Sequence, residues 1–228
     1  MAITTSAIVQ KIIEHEGDIR EFIILPEKKA SYEPGQFLQL SLDEVDASAC
    51  WTKSRTFSIA SYGKDTLRLI IKKVGKYTTR IFEELREGSK ISIKYAYGDF
   101  LLPFDDEEEV LCIAGGTGIS PILSFIDFLE QEGNLERFKL FYSARTQKQL
   151  LDLEHLKELL KDNGQFYVTR EQPEDESIKF GRIPLEDVIK KCTEDTNIYI
   201  CGSVDFIRYY KEHLEKMRYE NIVLDEWE

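Results

Sequence analysis

The sequence predicts a two-domain protein, an N-terminal antiparallel β-barrel followed by an α/β domain built on a parallel sheet. Three observations carry this expectation. Short apolar runs bounded by turn residues fill the first hundred positions, with no long helical stretch between them. An acidic run, Pro103-Phe104-Asp105-Asp106-Glu107-Glu108-Glu109, then interrupts the chain without periodicity of its own. Beyond it, apolar strands alternate with segments of helical periodicity, and such alternation requires a parallel sheet covered on both faces. The domains are accordingly expected over residues 1–103 and 104–228.

Six strands are expected in the first domain, over residues 7–13, 19–25, 37–42, 55–61, 66–74 and 90–95, with turn chemistry such as Glu33-Pro34-Gly35-Gln36 between them. Only residues 79–85 read as helical there, with Ile81, Phe82 and Leu85 turned inward. In the second domain the expected strands are 110–114, 139–142, 166–169 and 197–201, and Ile222-Val223-Leu224 adds a last one. Three stripes at helical spacing lie between and after them: Ile122, Phe125, Ile126 and Leu129; Leu153, Leu156, Leu159 and Leu160; Ile207, Tyr210, Leu214 and Met217.

Composition excludes several classes of partner. At 228 residues and a net charge of -12, the chain would be repelled at long range by nucleic acid or an anionic membrane. No apolar run approaches the roughly 20 residues needed to span a bilayer, and the N-terminus has no basic-then-apolar signal, so a soluble, cytoplasmic protein is expected. Cys50, Cys112, Cys192 and Cys201 form no C-x-x-C, and His15, His155 and His213 are scattered, so no metal site is expected.

The most informative segment is Val110-Leu111-Cys112-Ile113-Ala114-Gly115-Gly116-Thr117-Gly118-Ile119-Ser120-Pro121. An apolar strand stops at three glycines and restarts as a helix, with Ser120 suited to the cap and Pro121 to the first turn. Glycines permit close backbone approach and positive φ, and free N–H groups at a helix start favour an anion such as a pyrophosphate. In a parallel sheet this loop lies at the carboxyl ends of the strands, where ligands bind. Upstream, Arg55-Thr56-Phe57-Ser58-Ile59-Ala60-Ser61 alternates, with Arg55, Phe57 and Ile59 on one face and Thr56 and Ser58 on the other. A guanidinium can hold phosphate, an aromatic can lie on a flat ring, and a hydroxyl can bond a ring nitrogen.

Together and in this order, the two motifs resemble the ferredoxin–NADP reductase superfamily, with its flavin motif Arg-x-(Tyr/Phe)-Ser and nucleotide motif Gly-Gly-Thr-Gly-(Ile/Leu)-(Ser/Ala)-Pro. The resemblance covers nearly the whole chain and is nearest to bacterial ferredoxin/flavodoxin–NADP reductases. It implies that Arg55 takes the flavin pyrophosphate, that Phe57 packs on the isoalloxazine or ribityl chain and that Ser58 approaches flavin N5, with Thr56 beside them. It further implies that Ile71-Lys72-Lys73-Val74-Gly75-Lys76-Tyr77-Thr78-Thr79 matches the Gly-x-x-(Ser/Thr) element that gives amide N–H groups and a hydroxyl to the FAD diphosphate. The segment Ile200-Cys201-Gly202-Ser203 resembles a strand ending in Cys-Gly-Pro, which places Cys201 and Gly202 beside the reacting rings. Here Ser203 replaces the proline, and Phe206 stands where a methionine is common. By the same resemblance Trp227 is the aromatic that covers the flavin, although Glu228 follows it. Gly115, Gly116, Thr117 and Gly118 would bind the NAD(P)H pyrophosphate.

Arg145, Arg170 and Arg182 are placed to hold a 2′-phosphate, and no acidic residue ends the strand 139–142 where one would suit a ribose hydroxyl, so NADPH is favoured over NADH. The function implied is hydride transfer from NAD(P)H to FAD and electron delivery to ferredoxin or flavodoxin, with Lys72, Lys76 and Arg80 as a local basic docking patch. One alternative is a reductase that treats flavin as a diffusible substrate. Another, of a different class, is a non-enzymatic subunit or sensor that retains the fold.

Overall fold

The structure is a computed structural model that describes residues 2–43, 51, 53–104 and 107–226. It divides into two compact units, residues 1–101 with 123–128, and residues 102–122 with 129–228. The first unit holds β1 (Ile3–His15), β2 (Ile19–Pro26), β3 (Phe37–Ser41), β4 (Arg55–Ser58), β5 (Leu67–Lys72) and β6 (Lys90–Tyr97). One antiparallel sheet runs in the order β4-β3-β6-β1-β2-β5. Just past β4 the Ala60 N–H donates to the Arg68 carbonyl at 2.8 Å, so the two edge strands nearly close the sheet into a barrel. Its interior is the alternate residues of these strands, among them Val9, Phe22, Leu38, Leu40, Leu69, Ile71 and Ile93.

The barrel helix, α1 (Lys76–Glu84), plugs this core with Ile81 and Phe82, and Leu85 at its C-cap is also buried. It begins three residues earlier than periodicity predicts, because its first turn carries a single apolar side chain, Tyr77, too little to show a helical period. What starts it is the Thr78 hydroxyl, which accepts the N–H groups of Val74 (2.9 Å) and Gly75 (3.0 Å). The turn at Gly35 has a left-handed φ of +90°, and a Cβ there would lie 1.9 Å from the Phe100 carbonyl oxygen, so only glycine fits.

The second unit is a parallel sheet of β7 (Val110–Gly115), β8 (Phe138–Ala144), β9 (Gly164–Val168), β10 (Ile178–Phe180), β11 (Asn197–Gly202) and β12 (Ile222–Glu226), in the order β10-β9-β8-β7-β11-β12. The connecting helices are α2 (Ile119–Glu132), α3 (Leu153–Leu160), α4 (Leu185–Ile189) and α5 (Val204–Lys216). Central β7 is fully buried over 110–114, as a strand covered on both faces must be. The chain moves outward from β7 through β8 to β10, then returns to lay β11 on the other side of β7. That reversal makes β7 and β11 the switch point of the sheet, and the glycine loop stands at their carboxyl ends.

Three expectations are corrected here. Ser120 is not the cap of α2: residues 116–118 already form a 3-10 turn, α2 starts at Ile119, and the Ser120 hydroxyl donates back to the Thr117 carbonyl at 2.7 Å. Met217 falls after the last turn of α5 and is exposed, leaving Ile207, Tyr210 and Leu214 as the buried stripe. The three-residue edge strand β10 was not expected, since Ile-Lys-Phe is too short to show a period. Among the described residues no helix is long and apolar enough to cross a membrane.

Candidate ligand cradles in the two units

In the first unit, β4 pairs with β3 so that Phe57 is opposite Leu38, Arg55 opposite Leu40, Thr56 opposite Gln39 and Ser58 opposite Phe37. Leu38 and Leu40 line the barrel core, and Phe57 packs partly against that core. The flat-ring contact expected of Phe57 is thus left to the part of its ring outside the core, and Ser58 is itself buried. Arg55 is exposed, and its Nη1 donates to the Ser54 carbonyl at 2.8 Å. Its guanidinium carbon lies 5.4 Å from the centre of the Tyr77 ring. This contact joins the β4 motif to the start of α1, more than twenty residues downstream.

Tyr77 is the anchor between them. Its hydroxyl donates to the Leu40 carbonyl at 2.9 Å, has the Lys53 carbonyl at 3.2 Å, and accepts the Leu42 N–H at 3.3 Å. Burial raises its pKa above the ordinary phenol value, so it remains a neutral donor. The amides of Lys76, Tyr77 and Thr78 belong to the first turn of α1, where N–H groups have no intrahelical acceptor. Nothing lies within 4 Å of the place a Cβ would take at Gly75, so the approach to those amides is open. Thr79 is half-buried behind them and Lys72 is half-buried on β5, while Ile71 is spent on the barrel core. A cationic fork, an aromatic support and free helix-start amides suit a diphosphate.

In the second unit each glycine of the loop has a different reason. Gly116 has a left-handed φ of +56° with open space beside it. Gly118 has ordinary torsions, but a Cβ there would lie 2.4 Å from the Cys201 carbonyl oxygen and 2.7 Å from the Gly202 nitrogen. A Cβ on Gly115 would meet the Phe206 ring at 3.1 Å, and one on Gly202 would meet it at 2.7 Å. The loops after β7 and β11 therefore touch backbone to backbone with the Phe206 ring laid over both, and Ser203 is the N-cap residue of α5. Thr117 sits within the 3-10 turn.

Cys201 is only 1 % exposed, and its thiol donates to Asp225 Oδ2 at 3.5 Å. Burial first, and the Asp225 carboxylate second, push the thiol well above its ordinary value. It is a protonated donor held in the sheet rather than a thiolate at the strand end. Trp227 and Cys50 lie outside the described residues.

Arg145, Arg170 and Arg182 are all exposed, and among the described residues none has a carboxylate within ion-pair distance, in a chain with 42 acidic residues. The loops after β8 and β9 are zipped together: the Thr169 N–H donates to the Ala144 carbonyl (3.1 Å) and the Arg170 N–H to the Arg145 carbonyl (2.9 Å). Sequence patterns missed one partner in this zipper. Glu171 Oε1 accepts the Gln147 N–H at 2.6 Å, bringing a carboxylate from the β9 loop to the end of β8. Its only signal in the sequence is its place beside Arg170 in Val168-Thr169-Arg170-Glu171. Among the described residues no cluster of side chains could hold a metal ion.

Residues 112–212 match the family described as oxidoreductase NAD-binding domain. The chain is 30% identical over 195 residues to the "Naphthalene 1,2-dioxygenase system ferredoxin--NAD(P)(+), reductase component" of Pseudomonas putida, covering 82% of this chain and 57% of that protein. It is 29% identical over 221 residues to the "Probable dihydroorotate dehydrogenase B (NAD(+)), electron transfer subunit" of Methanocaldococcus jannaschii, covering 89% and 77%. The match spans little more than half the length of the oxygenase-system relatives, 57% and 52% for two of them. Among solved structures, a ferredoxin NADP+ reductase from Neisseria gonorrhoeae with bound FAD and NADP superposes with a TM-score of 0.80 at 21% identity, covering 98% of both chains. The FAD/NAD-binding domain of a nitric oxide dioxygenase from Vibrio cholerae gives 0.83 at 17% identity, again covering 98% of both.

Proposed function

We propose, because the chain belongs to the ferredoxin–NADP reductase-like superfamily of FAD- and NAD(P)-binding oxidoreductases, that it is an NAD(P)H-dependent flavoprotein reductase serving a separate electron acceptor. The observation that carries this is the Arg55–Tyr77 contact, which ties the guanidinium of β4 to a side chain of the first turn of α1, an arrangement that suits a diphosphate. FAD, when bound, supplies hydride acceptance and stepwise electron release. The residues of the chain position and screen. We assign residues 1–103 to FAD and 104–228 to the nicotinamide nucleotide.

In the flavin half, Arg55 and the amides of Lys76, Tyr77 and Thr78 hold the diphosphate, while Thr56, Phe57 and Ser58 meet the remainder of the cofactor, with Trp227 as its cover. In the nucleotide half, Gly115, Gly116, Thr117 and Gly118 meet the pyrophosphate, and Gly202 lies with Cys201 beside the reacting rings. The buried Cys201 thiol keeps its proton beside Asp225 and acts by shaping the end of β11. NADPH is the donor we assign, because among the described residues Arg145, Arg170 and Arg182 stand without carboxylate partners.

For the acceptor we assign a small redox carrier of the ferredoxin or flavodoxin kind, in the cytoplasm. The Pseudomonas putida relative, named as a reductase component, supports hand-over to another protein. The basic patch expected for docking is weaker than its residues imply. Arg80 is paired with Asp43 (3.1 Å) and Glu84 (2.6 Å), which leaves Lys76 as its exposed cation.

The test is the absorption spectrum of the purified protein, followed by extraction and identification of its flavin. About one FAD per chain is expected, and Arg55→Ala should lower occupancy by roughly tenfold or more, the loss of a charge-assisted contact. A colourless wild-type protein that nonetheless reduces added FMN or riboflavin would replace this proposal with the diffusible-flavin alternative.

A further inference from the structure

We propose that Glu171 is the residue that sets the choice between NADPH and NADH, by fixing a negative charge between the loops that carry Arg145 and Arg170. The inference rests on the nucleotide site assigned above to the carboxyl ends of β7–β9. Arg145 and Arg170 follow adjacent parallel strands, and the hydrogen bond from the Arg170 N–H to the Arg145 carbonyl keeps their loops in register. Among the described residues their guanidinium groups have no carboxylate partner, although Glu171 directly follows Arg170. The Glu171 side chain is turned instead across the gap to the Gln147 amide, two residues beyond Arg145. A second bond, from the Glu174 N–H to the Gln147 side-chain carbonyl at 3.3 Å, holds the same two loops. The carboxylate of this exposed residue is therefore held where β8 ends, with Oε1 committed to the Gln147 amide.

Such a group discriminates between the two nucleotides in opposite directions. The 2′-phosphate of NADPH is a dianion that gains from the arginines and loses from a neighbouring carboxylate. The 2′-hydroxyl of NADH is a neutral donor for which a carboxylate is a good acceptor. Glu171 offsets one unit of the positive charge that Arg145 and Arg170 bring to these loops and compresses the preference for NADPH. The acid thought absent from the end of β8 is thus supplied by the neighbouring strand.

The experiment measures binding of 2′,5′-ADP and of 5′-ADP by calorimetry to the full chain, wild type and Glu171→Gln. Glutamine retains an oxygen for the Gln147 amide and removes only the charge. The affinity for 2′,5′-ADP should rise about tenfold at low ionic strength, as expected for removing one unit charge near a phosphate. Affinity for 5′-ADP should stay within about twofold, since the acceptor remains. The gain should shrink in roughly 0.5 M salt, which a purely structural effect would not do. An unchanged or reduced preference for 2′,5′-ADP, with 5′-ADP still bound, overturns the role of Glu171 and leaves the nucleotide site standing. A wild-type chain that binds neither compound overturns the site, and this inference falls with it.

Discussion

Gly118→Ala adds one methyl group where the loop after β7 meets the end of β11. The new Cβ would lie 2.4 Å from the Cys201 carbonyl oxygen, 2.5 Å from the Cys201 carbonyl carbon and 2.7 Å from the Gly202 nitrogen. All three are backbone atoms, so no side chain can swing aside. Ordinary contact needs about 3.5 Å, and the two loops must part by about 1 Å. Overpacking of this kind costs about 1–3 kcal/mol, or some 2–12 °C in the thermal transition for a protein of this size. Parting the loops also displaces the amides that would face a pyrophosphate, so affinity for 5′-ADP should fall about tenfold or more. Gly116→Ala is the control, because its Cβ would meet nothing within 4 Å and the residue would bear only its left-handed torsion, worth about 1–2 kcal/mol. Differential scanning calorimetry and nucleotide titration on both variants give the comparison. Wild-type melting and wild-type nucleotide affinity in Gly118→Ala would refute the backbone contact.

Tyr77→Phe should keep the ring beneath Arg55 and lose the bonds to Leu40 and Leu42, weakening flavin retention on dialysis by about 0.5–1.5 kcal/mol. Tyr77→Leu should lose the cation–π contact as well and release flavin faster; equal retention in the two variants would show that the ring contributes nothing. Asp175 is held at about 2, first by its ion pair with Lys157 and then by hydrogen bonds from Ser177. Its folded pKa lies below its unfolded one, so its stabilisation is complete above the usual carboxylate range and fades as pH falls towards about 2. Asp175→Asn should therefore melt earlier at pH 7 and match wild type near pH 2, as followed by circular dichroism; identical melting at pH 7 would refute it.

What was legible in the sequence was what a short window can hold. The strand, the three glycines and the helix that follows them are consecutive, and Arg55 to Ser58 is a single strand. Contacts made between chain segments were not legible. Tyr77 alone shows no period, so the apolar spacing starts the helix at Thr79, three residues after its observed start, which the Thr78 hydroxyl makes by accepting the Val74 and Gly75 amides. Ser120 had the chemistry of a cap, but the preceding 3-10 turn had already begun the helix. Glu171 was invisible as a site residue because its meaning comes from the loop after β8, 24 positions away. Gly115 and Gly202 read as ligand-facing, yet both also make room for one ring, that of Phe206.

The place of each cradle residue within the parallel sheet bears on how such a protein can diversify. The glycine loop hangs from β7, whose residues 110–114 are wholly buried, while Arg182 lies just past β10, a three-residue strand at the sheet edge. Amide hydrogens of β7 should be among the last to exchange, and those of β10 among the first. The part proposed to take the pyrophosphate common to both nucleotides is thereby tied to the slowest-opening backbone. Of the arginines proposed to tell the nucleotides apart, Arg182 sits on backbone that can be rewritten at little cost to folding, so a lineage could shift its source of electrons there without rebuilding its core.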